Sequence, residues 1–158
     1  MSDVQLRPAL PKDARAISAS EEAGFENPGE IFNLRYVSLL LRNPRVTAIV
    51  AEREGTVLGW AAGFGSINRS RPWGRVHAVA VDPQARGMKL GRRLTEALIA
   101  RLRERGATRI FLEVRSDNAP AVRLYEKLGF TPCKELPHFY GDKVHAQRMV
   151  REISANGM

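Results

Sequence analysis

A short segment with two glycines and several cations is the first place where this sequence could do chemistry. Residues 86–91 read Arg-Gly-Met-Lys-Leu-Gly and join an apolar segment to a strongly amphipathic one. Glycine lets backbone N–H groups approach a ligand without a Cβ in the way. The first turn of a helix also leaves N–H groups unpaired at the positive end of its dipole. The segment is therefore predicted to bind an anion, and a pyrophosphate fits it well.

This segment does not match two other phosphate-binding motifs. Gly-Lys-Ser/Thr of the P-loop and the three-glycine dinucleotide fingerprint are both absent from it. The side chains of Arg86, Arg92 and Arg93 would add charge-assisted contacts to an anion. Taken alone, the segment leaves an ordinary strand–turn–helix connection open as the alternative.

A second set of polar residues follows the amphipathic segment. In a predicted apolar strand, alternation places Glu113 on one face together with Phe111 and Arg115. Asn118 is predicted to cap the next helix, and Tyr125 lies two helical turns further along the same face. A carboxylate and a phenol are thereby predicted near the end of a strand and on the helix that follows it.

Together the two segments closely resemble the GCN5-related N-acetyltransferase (GNAT) superfamily, and within it the RimI-type and related N-terminal peptide acetyltransferases. The resemblance covers about residues 46–151. Val81-Asp82-Pro83 followed by residues 86–91 is similar to the family's coenzyme A pyrophosphate motif, and residues 113–130 are similar to its second motif. Lys89 stands where the family usually has glycine. Its backbone amide remains a suitable donor if its φ is negative.

The resemblance implies acetyl-CoA as cosubstrate. The pantetheine arm would pair with the strand that ends at Val81, and the pyrophosphate would lie on the amides of residues 86–91. An N–H group of Val79 or Val81 would polarise the thioester carbonyl. The cofactor-binding residues that follow from the resemblance are Val79, Ala80, Val81, Arg86, Gly87, Met88, Lys89, Leu90, Gly91, Arg92, Asn118 and Tyr125.

The resemblance also implies catalytic roles. Tyr125 would be the general acid for the departing thiolate, and Glu113 would be the general base, directly or through water. His77 is a rival base, because it is predicted to share side-chain parity with Val79 and Val81.

Structural roles remain open for the same residues. Tyr125 could simply pack with its hydroxyl at the sheet edge. Glu113 could pair with Arg115, Arg109 or His77. A lone histidine on an apolar strand is more often structural than catalytic.

Phe139 and Tyr140 are the candidate substrate-binding residues. They match an aromatic pair in the family's substrate-side hairpin, which RimI-like enzymes continue with acidic residues. Lys143-Val144-His145 lacks most of these acids. A substrate other than the usual peptide N-terminus is therefore an open alternative, and an acidic acceptor would suit a basic site.

No metal site is expected. His138 and His145 lack metal-ligand spacing with each other and with Cys133. Cys133 is predicted to be a buried small hydrophobe rather than a nucleophile.

The elements that would position these residues follow from periodicity. Their order predicts an α/β (α+β) fold, GNAT-like, with a mixed, mostly antiparallel central sheet and helices on both faces. A polar, basic loop is predicted over residues 66–72. Strands are predicted at residues 4–8, 46–52, 57–64, 75–81, 109–115, 130–135 and 145–152, and helices at 12–23, 29–42, 89–105 and 118–128.

The bulk properties limit the class of protein. The 158 residues, 44% of them hydrophobic, predict a single acyl-CoA N-acyltransferase domain over residues 1–158. The lack of a signal peptide, of a membrane span and of a second cysteine favours the cytoplasm and no membrane partner. The net charge of +8 predicts an anionic partner. Nucleic acid is disfavoured, since no recognised nucleic-acid module is present, and a homodimer is a further candidate.

The favoured function is transfer of an acetyl group from acetyl-CoA to a primary amine of a protein or peptide, by direct attack in a ternary complex. One alternative is the same chemistry on a small amine, such as an amino sugar, polyamine or antibiotic. Another is a non-catalytic module that binds acyl-CoA or nucleic acid.

Overall fold

A seven-stranded sheet forms the centre of the computed structural model, which describes residues 3–25, 28–66, 70 and 72–153. Residues 67–69 and 71 of the predicted basic loop lie outside the described residues. The strand order is β1-β2-β3-β4-β5-β7-β6. The strands are β1 (Gln5–Pro8), β2 (Thr47–Arg53), β3 (Thr56–Gly65), β4 (Trp73–Val81), β5 (Arg109–Arg115), β6 (Thr131–Gly141) and β7 (Val144–Glu152).

Four helices cover the two faces of this sheet, as predicted. Helices α1 (Ala14–Gly24) and α2 (Leu34–Arg42) pack on one face around Ile17, Val37 and Trp60. Helices α3 (Leu90–Glu104) and α4 (Ala119–Lys127) pack on the other face, where α3 buries Leu90, Leu94, Leu98 and Leu102. Burial of these apolar stripes drives the layers together. The mixed, mostly antiparallel sheet with helices on both faces is confirmed.

The fold has one parallel strand pair among the described residues, and this pair opens a gap. Strands β4 and β5 pair from Trp73 with Arg109 to Val76 with Leu112. After Val76, β4 stays paired with β3 as far as Val81 but no longer with β5. The second halves of β4 and β5 therefore diverge.

A β-bulge precedes the gap. Ala62 pairs with Ala78, but the next residue of β3, Gly63, pairs with Val76, so His77 is the extra residue. Beyond the bulge, Ala78 lies in the core under α1 and α2, and Val79 packs on the core under α3 and α4.

The bulge also changes the environment of His77. Its ring stacks on Phe32, which packs against the α1–α2 core, whereas Val79 and Val81 pack on the opposite core. The predicted shared parity of His77 with Val79 and Val81 is therefore wrong, because alternation breaks at the extra residue.

Several boundaries differ from the sequence prediction. The helix predicted at residues 29–42 is α2 preceded by a 3₁₀ turn, Pro28–Glu30. Strand β6 runs past its predicted end at residue 135, as far as Gly141. Cys133 is exposed, so the buried position predicted for it is wrong. It lies at a register shift between Pro132 and Lys134 in an edge strand that no helix covers within the described residues.

Among the described helices, none is long and apolar enough to cross a membrane. Within the described parts of the chain, no three His, Cys, Asp or Glu residues are grouped so that they could hold a metal ion.

Candidate active site

A cavity of about 790 Å³ occupies the gap between β4 and β5. Its walls come from the second halves of these strands, the starts of α3 and α4, and the connection between α1 and α2. The cavity therefore brings the two segments singled out in the sequence to one place.

One wall of the cavity is an unpaired strand edge. The N–H of Asp82 donates to the carbonyl oxygen of Leu58 in β3 at 2.8 Å. Backbone groups along a strand point alternately to its two neighbours, so Val79 and Val81 direct their N–H groups into the gap. These N–H groups are available to an extended ligand. The predicted pairing of the pantetheine arm with this strand requires such donors.

The turn before α3 forms one end of the cavity. Gly87 has a φ of +89°, and Lys89, the N-cap of α3, has a φ of +57°. The condition of a negative φ at Lys89 is therefore not met: the chain enters α3 through a left-handed residue, where glycine would be less strained. No carbonyl within the described residues accepts from the N–H groups of Leu90 or Gly91, which point from the first turn of the helix.

A ring of cations surrounds this end of the cavity. Its members are Arg86, Lys89, Arg92, Arg123 and Lys127. Arg123 and Lys127 lie one turn apart on α4 and escaped the sequence analysis, because exposed cations on a helix normally indicate only a solvated face. Predicted anion contacts of Arg93 are not supported, since its guanidinium donates to the carbonyl of Val4 at 3.1 Å.

Helix α4 carries two of the predicted residues into the cavity. The side chain of Asn118 accepts from the N–H of Ala121 at 3.2 Å, which confirms Asn118 as the helix cap. Tyr125 lines the cavity, and burial raises the pKa of its phenol to about 12. Its ring packs edge-on against Phe130 at 6.0 Å. No described residue makes a hydrogen bond to its hydroxyl.

Glu113 lies on the opposite wall and is already paired. Its Oε2 accepts from Nε of Arg148 at 2.9 Å and from Nη1 of Arg75. Tyr140 also lines the cavity, and its hydroxyl donates to the backbone carbonyl of Glu113 at 3.3 Å. Glu113 is paired, as the structural alternative predicted, but with other partners: Arg75 of β4 and Arg148 of β7 take the place of Arg109, Arg115 and His77.

The three groups named as alternative partners of Glu113 are engaged elsewhere. Arg115 pairs with Asp117 at 2.6 Å, and the guanidinium of Arg109 lies over the ring of Phe111. Nε2 of His77 lies 2.8 Å from the hydroxyl of Tyr36. Burial and the charge of Arg75 lower the pKa of His77, which keeps its imidazole neutral at pH 7.

Two carboxyl groups of the α1 and α1–α2 region also line the cavity and were missed. Glu21 is fully buried and accepts from the N–H of Phe32 at 3.1 Å and from Nε1 of Trp60 at 3.0 Å. Burial raises the pKa of Glu21 and of Glu30, and Glu30 lies 3.6 Å from Arg115. Sequence pattern gave no signal for either, because acidic residues in a helix ordinarily face solvent.

Most of the predicted site residues meet at this cavity, and two do not. Met88 packs on the core, with its sulfur 4.0 Å from Nη1 of Arg53. Phe139 is exposed and packs edge-on against Tyr140 at 5.0 Å. The predicted residues that line the cavity are His77, Val79, Ala80, Val81, Arg86, Gly87, Lys89, Leu90, Gly91, Arg92, Glu113, Asn118, Tyr125 and Tyr140.

A parallel strand pair that splays beside a turn with unpaired amides and nearby cations is the arrangement expected of the GNAT class. The model of the "Acetyltransferase (GNAT) family" matches residues 14–130. The chain belongs to this family.

Two relatives illustrate how far the sequence similarity extends. A mycothiol acetyltransferase of Thermobispora bispora is 47% identical over 85 residues, which are 52% of this chain and 29% of that protein. An N-alpha-acetyltransferase of Sulfurisphaera tokodaii is 34% identical over 122 residues, which are 72% of this chain and 73% of that protein. The chain thus spans less than a third of the first relative and nearly three quarters of the second.

Solved structures superpose on nearly the whole of this chain. The ribosomal-protein-S18-alanine N-acetyltransferase of Escherichia coli superposes with a TM-score of 0.85 at 25% identity, covering 96% of this chain and 95% of that one. Ard1 of Thermoplasma volcanium gives a TM-score of 0.82 at 28% identity, covering 96% and 98%. The RimI-type resemblance is confirmed.

Proposed function

We propose that this chain is an N-acetyltransferase that transfers the acetyl group of acetyl-CoA to a primary amine of a protein or peptide. The chain acts as one acyltransferase domain in the cytoplasm, and the amine attacks directly in a ternary complex. One observation carries the proposal: the cavity between β4 and β5 joins an unpaired strand edge and a cationic turn to Tyr125 and Glu113.

The residues present fit the coenzyme. Phosphates suit the first-turn amides of α3 and the surrounding cations, and an extended amide-bearing arm suits the free edge at Val79 and Val81. Acetyl-CoA supplies the activated acetyl thioester. The N–H groups of this edge would stabilise negative charge on the thioester oxygen as the amine attacks.

Tyr125 is proposed to donate its proton towards sulfur as the carbon–sulfur bond breaks. With a pKa near 12, the phenol is protonated at any pH at which the protein would work. A thiol has a pKa of about 8.5, so full transfer to a separated thiolate is unfavourable at equilibrium. A strong hydrogen bond that forms while charge develops on sulfur is the contribution that this environment supports.

Glu113 is proposed as the base, acting directly or through water. Both cationic contacts fall on Oε2, and Oε1 has no hydrogen-bond partner among the described residues. His77 is the weaker candidate, because Tyr36 lies against its Nε2. An α-amine with a pKa near 8 is already partly neutral at pH 7, so the demand on this base is modest.

A second candidate acceptor is a small amine. Several relatives are named mycothiol acetyltransferases, and the match to the one from Thermobispora bispora reaches 47% identity over 85 residues. The matches that extend over most of the chain include a ribosomal-protein-S18-alanine N-acetyltransferase and an N-alpha-acetyltransferase, which is why a peptide acceptor is preferred.

An acceptor competition tests the proposal. The protein is mixed with acetyl-CoA, a set of peptides with different N-terminal residues, and a set of amino sugars and polyamines, and the products are identified by mass spectrometry. Acetylated peptide N-termini support the proposal, and acetylated small amines alone support the second candidate. Binding of acetyl-CoA with no acetylated product would favour a non-catalytic module. The homodimer stays a prediction.

A further inference from the structure

A strip of aromatic and arginine side chains leads away from the cavity across β4 and β5. The ring of His77 lies 5.2 Å from Phe64, Phe64 lies 6.5 Å from Trp73, and Trp73 lies 6.4 Å from Phe111. The guanidinium of Arg75 lies over Trp73, and that of Arg109 over Phe111. The strip consists of Phe32, His77, Phe64, Trp73, Phe111, Arg75 and Arg109.

The strip starts inside the site and ends outside it. Phe32 and His77 line the cavity, whereas Trp73, Phe111 and Arg109 do not. All members are partly exposed. They lie on the α1–α2 side of the sheet, because the intervening residues Ile110 and Leu112 are buried in the core under α3 and α4. An extended ligand that leaves the cavity on this side of the sheet would pass over aromatic rings and guanidinium groups.

The strip has more positive charge than its carboxylates balance. Arg75 and Arg148 share the single carboxylate of Glu113. Arg109 has a carboxylate neighbour, Glu152, but at 3.7 Å and largely exposed. Nε of Arg109 is buried and has no hydrogen-bond partner among the described residues. The rest of the Arg109 guanidinium is partly exposed, so donors remain there for an incoming anion.

We propose that the strip binds the polypeptide that follows the acceptor amine, and that it selects acidic side chains. This inference rests on the proposed function, because it places the amine beside Glu113. Arg75 and Arg148, next to Glu113, would meet an acidic residue at about position 3 of the acceptor. From Glu113 to Arg109 is four residues of one strand, about 13 Å, so Arg109 would meet an acidic residue at about position 5 of an extended acceptor, on the same face as position 3.

Octapeptides that share one N-terminal residue test the inference, with Asp, Ser or Lys at position 3 and at position 5. Placing Asp at both positions is expected to raise kcat/KM about tenfold over Ser, mainly through KM, and Lys is expected to lower it. The gain should shrink as salt rises. Equal kcat/KM for the Asp, Ser and Lys peptides would overturn the inference while leaving the proposed function intact.

Variants of Arg109 test whether the strip causes the preference for acidic peptides. Arg109→Gln is expected to remove about a threefold preference for Asp at position 5 and to leave the preference at position 3. Arg109→Lys should retain part of the preference at position 5. Arg103→Gln on α3 removes the same charge from the opposite face of the sheet and should change neither preference. An equal loss with all peptides in Arg109→Gln would contradict a role in selection.

Binding of the same labelled peptides, measured by fluorescence anisotropy, separates the two proposals. If the Asp peptides bind more tightly in an Arg109-dependent way but no acetylated product forms, the inference stands and the proposed function fails. If single-stranded RNA binds through Arg109 and the Asp peptides do not compete with it, the strip is a nucleic-acid surface and the inference fails.

Discussion

Tyr125 combines three properties that suit a protonated hydrogen-bond donor to sulfur. It lines the cavity, its hydroxyl has no hydrogen-bond partner among the described residues, and burial raises its pKa to about 12. Tyr125→Phe is expected to lower kcat about a hundredfold or more while the KM for acetyl-CoA stays nearly constant. Release of CoA thiol at saturating acetyl-CoA and acceptor measures this.

The pH profile gives Tyr125 a separate test. Because its pKa is near 12, ionisation of this phenol should not reduce activity below about pH 11. Full turnover in Tyr125→Phe, under conditions where chemistry limits the rate, would remove Tyr125 from the mechanism.

The environment of His77 predicts how stability depends on pH. Burial and Arg75 lower its pKa, and Glu113 partly opposes this shift. As the pH falls below about 6.5, the unfolded chain takes up a proton that folded His77 does not. The free energy of unfolding should therefore fall over this range, and urea unfolding at pH 7.5 and 5.5 measures the change.

His77→Gln is the matched control, since it keeps a hydrogen-bonding group towards Tyr36 but cannot titrate. Its free energy of unfolding should fall less between the two pH values than that of the unsubstituted protein. Equal losses would show that other groups set the pH dependence.

Some of the residues that line the cavity could be predicted from the sequence, and others could not. Glu113 and Asn118 could be singled out because one breaks an apolar pattern and the other occupies the position that caps a helix, whereas the role predicted for Tyr125 came from the family resemblance. Glu21 and Glu30 could not, because their burial depends on how α1 and the following 3₁₀ turn pack beside Trp60 and Arg115.

At the level of elements, the start of α3 bears a strained residue. Lys89 caps the helix with a φ of +57°, and a left-handed conformation costs a residue with a Cβ about 1 kcal/mol. Lys89→Gly is expected to raise the free energy of unfolding by about 0.5 kcal/mol, since the greater freedom of glycine in the unfolded chain offsets part of the gain.

Comparison with Lys89→Ala separates strain from charge. Both variants lose the ammonium group, so both should bind acetyl-CoA more weakly than the unsubstituted protein, most clearly at low salt. The alanine variant keeps the strain and should be the less stable of the two in urea unfolding. Equal stability of the two variants would contradict the strained cap.

Helix α4 depends on its own cap. Removing the bond from the N–H of Ala121 to Asn118 in Asn118→Ala should cost about 1 kcal/mol of stability. Asn118→Asp keeps an acceptor and should cost less, which thermal unfolding can measure. A loss in Asn118→Asp as large as that in Asn118→Ala would indicate that the amide does more than cap.

Elements could be predicted where periodicity is strong and regular. Strand β5 matches its predicted bounds, and α3 and α4 each begin and end one residue inside theirs. The bulge at His77 could not be predicted, because Val76 to Val81 reads as one apolar run whichever residue is extra. It matters, because it moves His77 to the α1–α2 side of the sheet.

At the level of the whole molecule, the sequence predicted the layers but not the gap. Strand and helix order indicated a mixed sheet covered on both faces, and the resemblance placed the coenzyme beside β4. Where two parallel strands part depends on how each packs against its other neighbour, β3 for β4 and β7 for β5. Such long-range pairing leaves no local pattern in the sequence.

We propose above all that the cavity between β4 and β5 holds acetyl-CoA beside an amine, so that the acetyl group passes from the thioester to the amine. Release of free CoA thiol from acetyl-CoA, with and without a peptide that has a free N-terminus, tests it most directly. The release of CoA thiol is expected to depend on the peptide, to match the amount of acetylated peptide, and to be largely lost in Tyr125→Phe. Release that is independent of any amine, or none with any peptide or small amine, would contradict it.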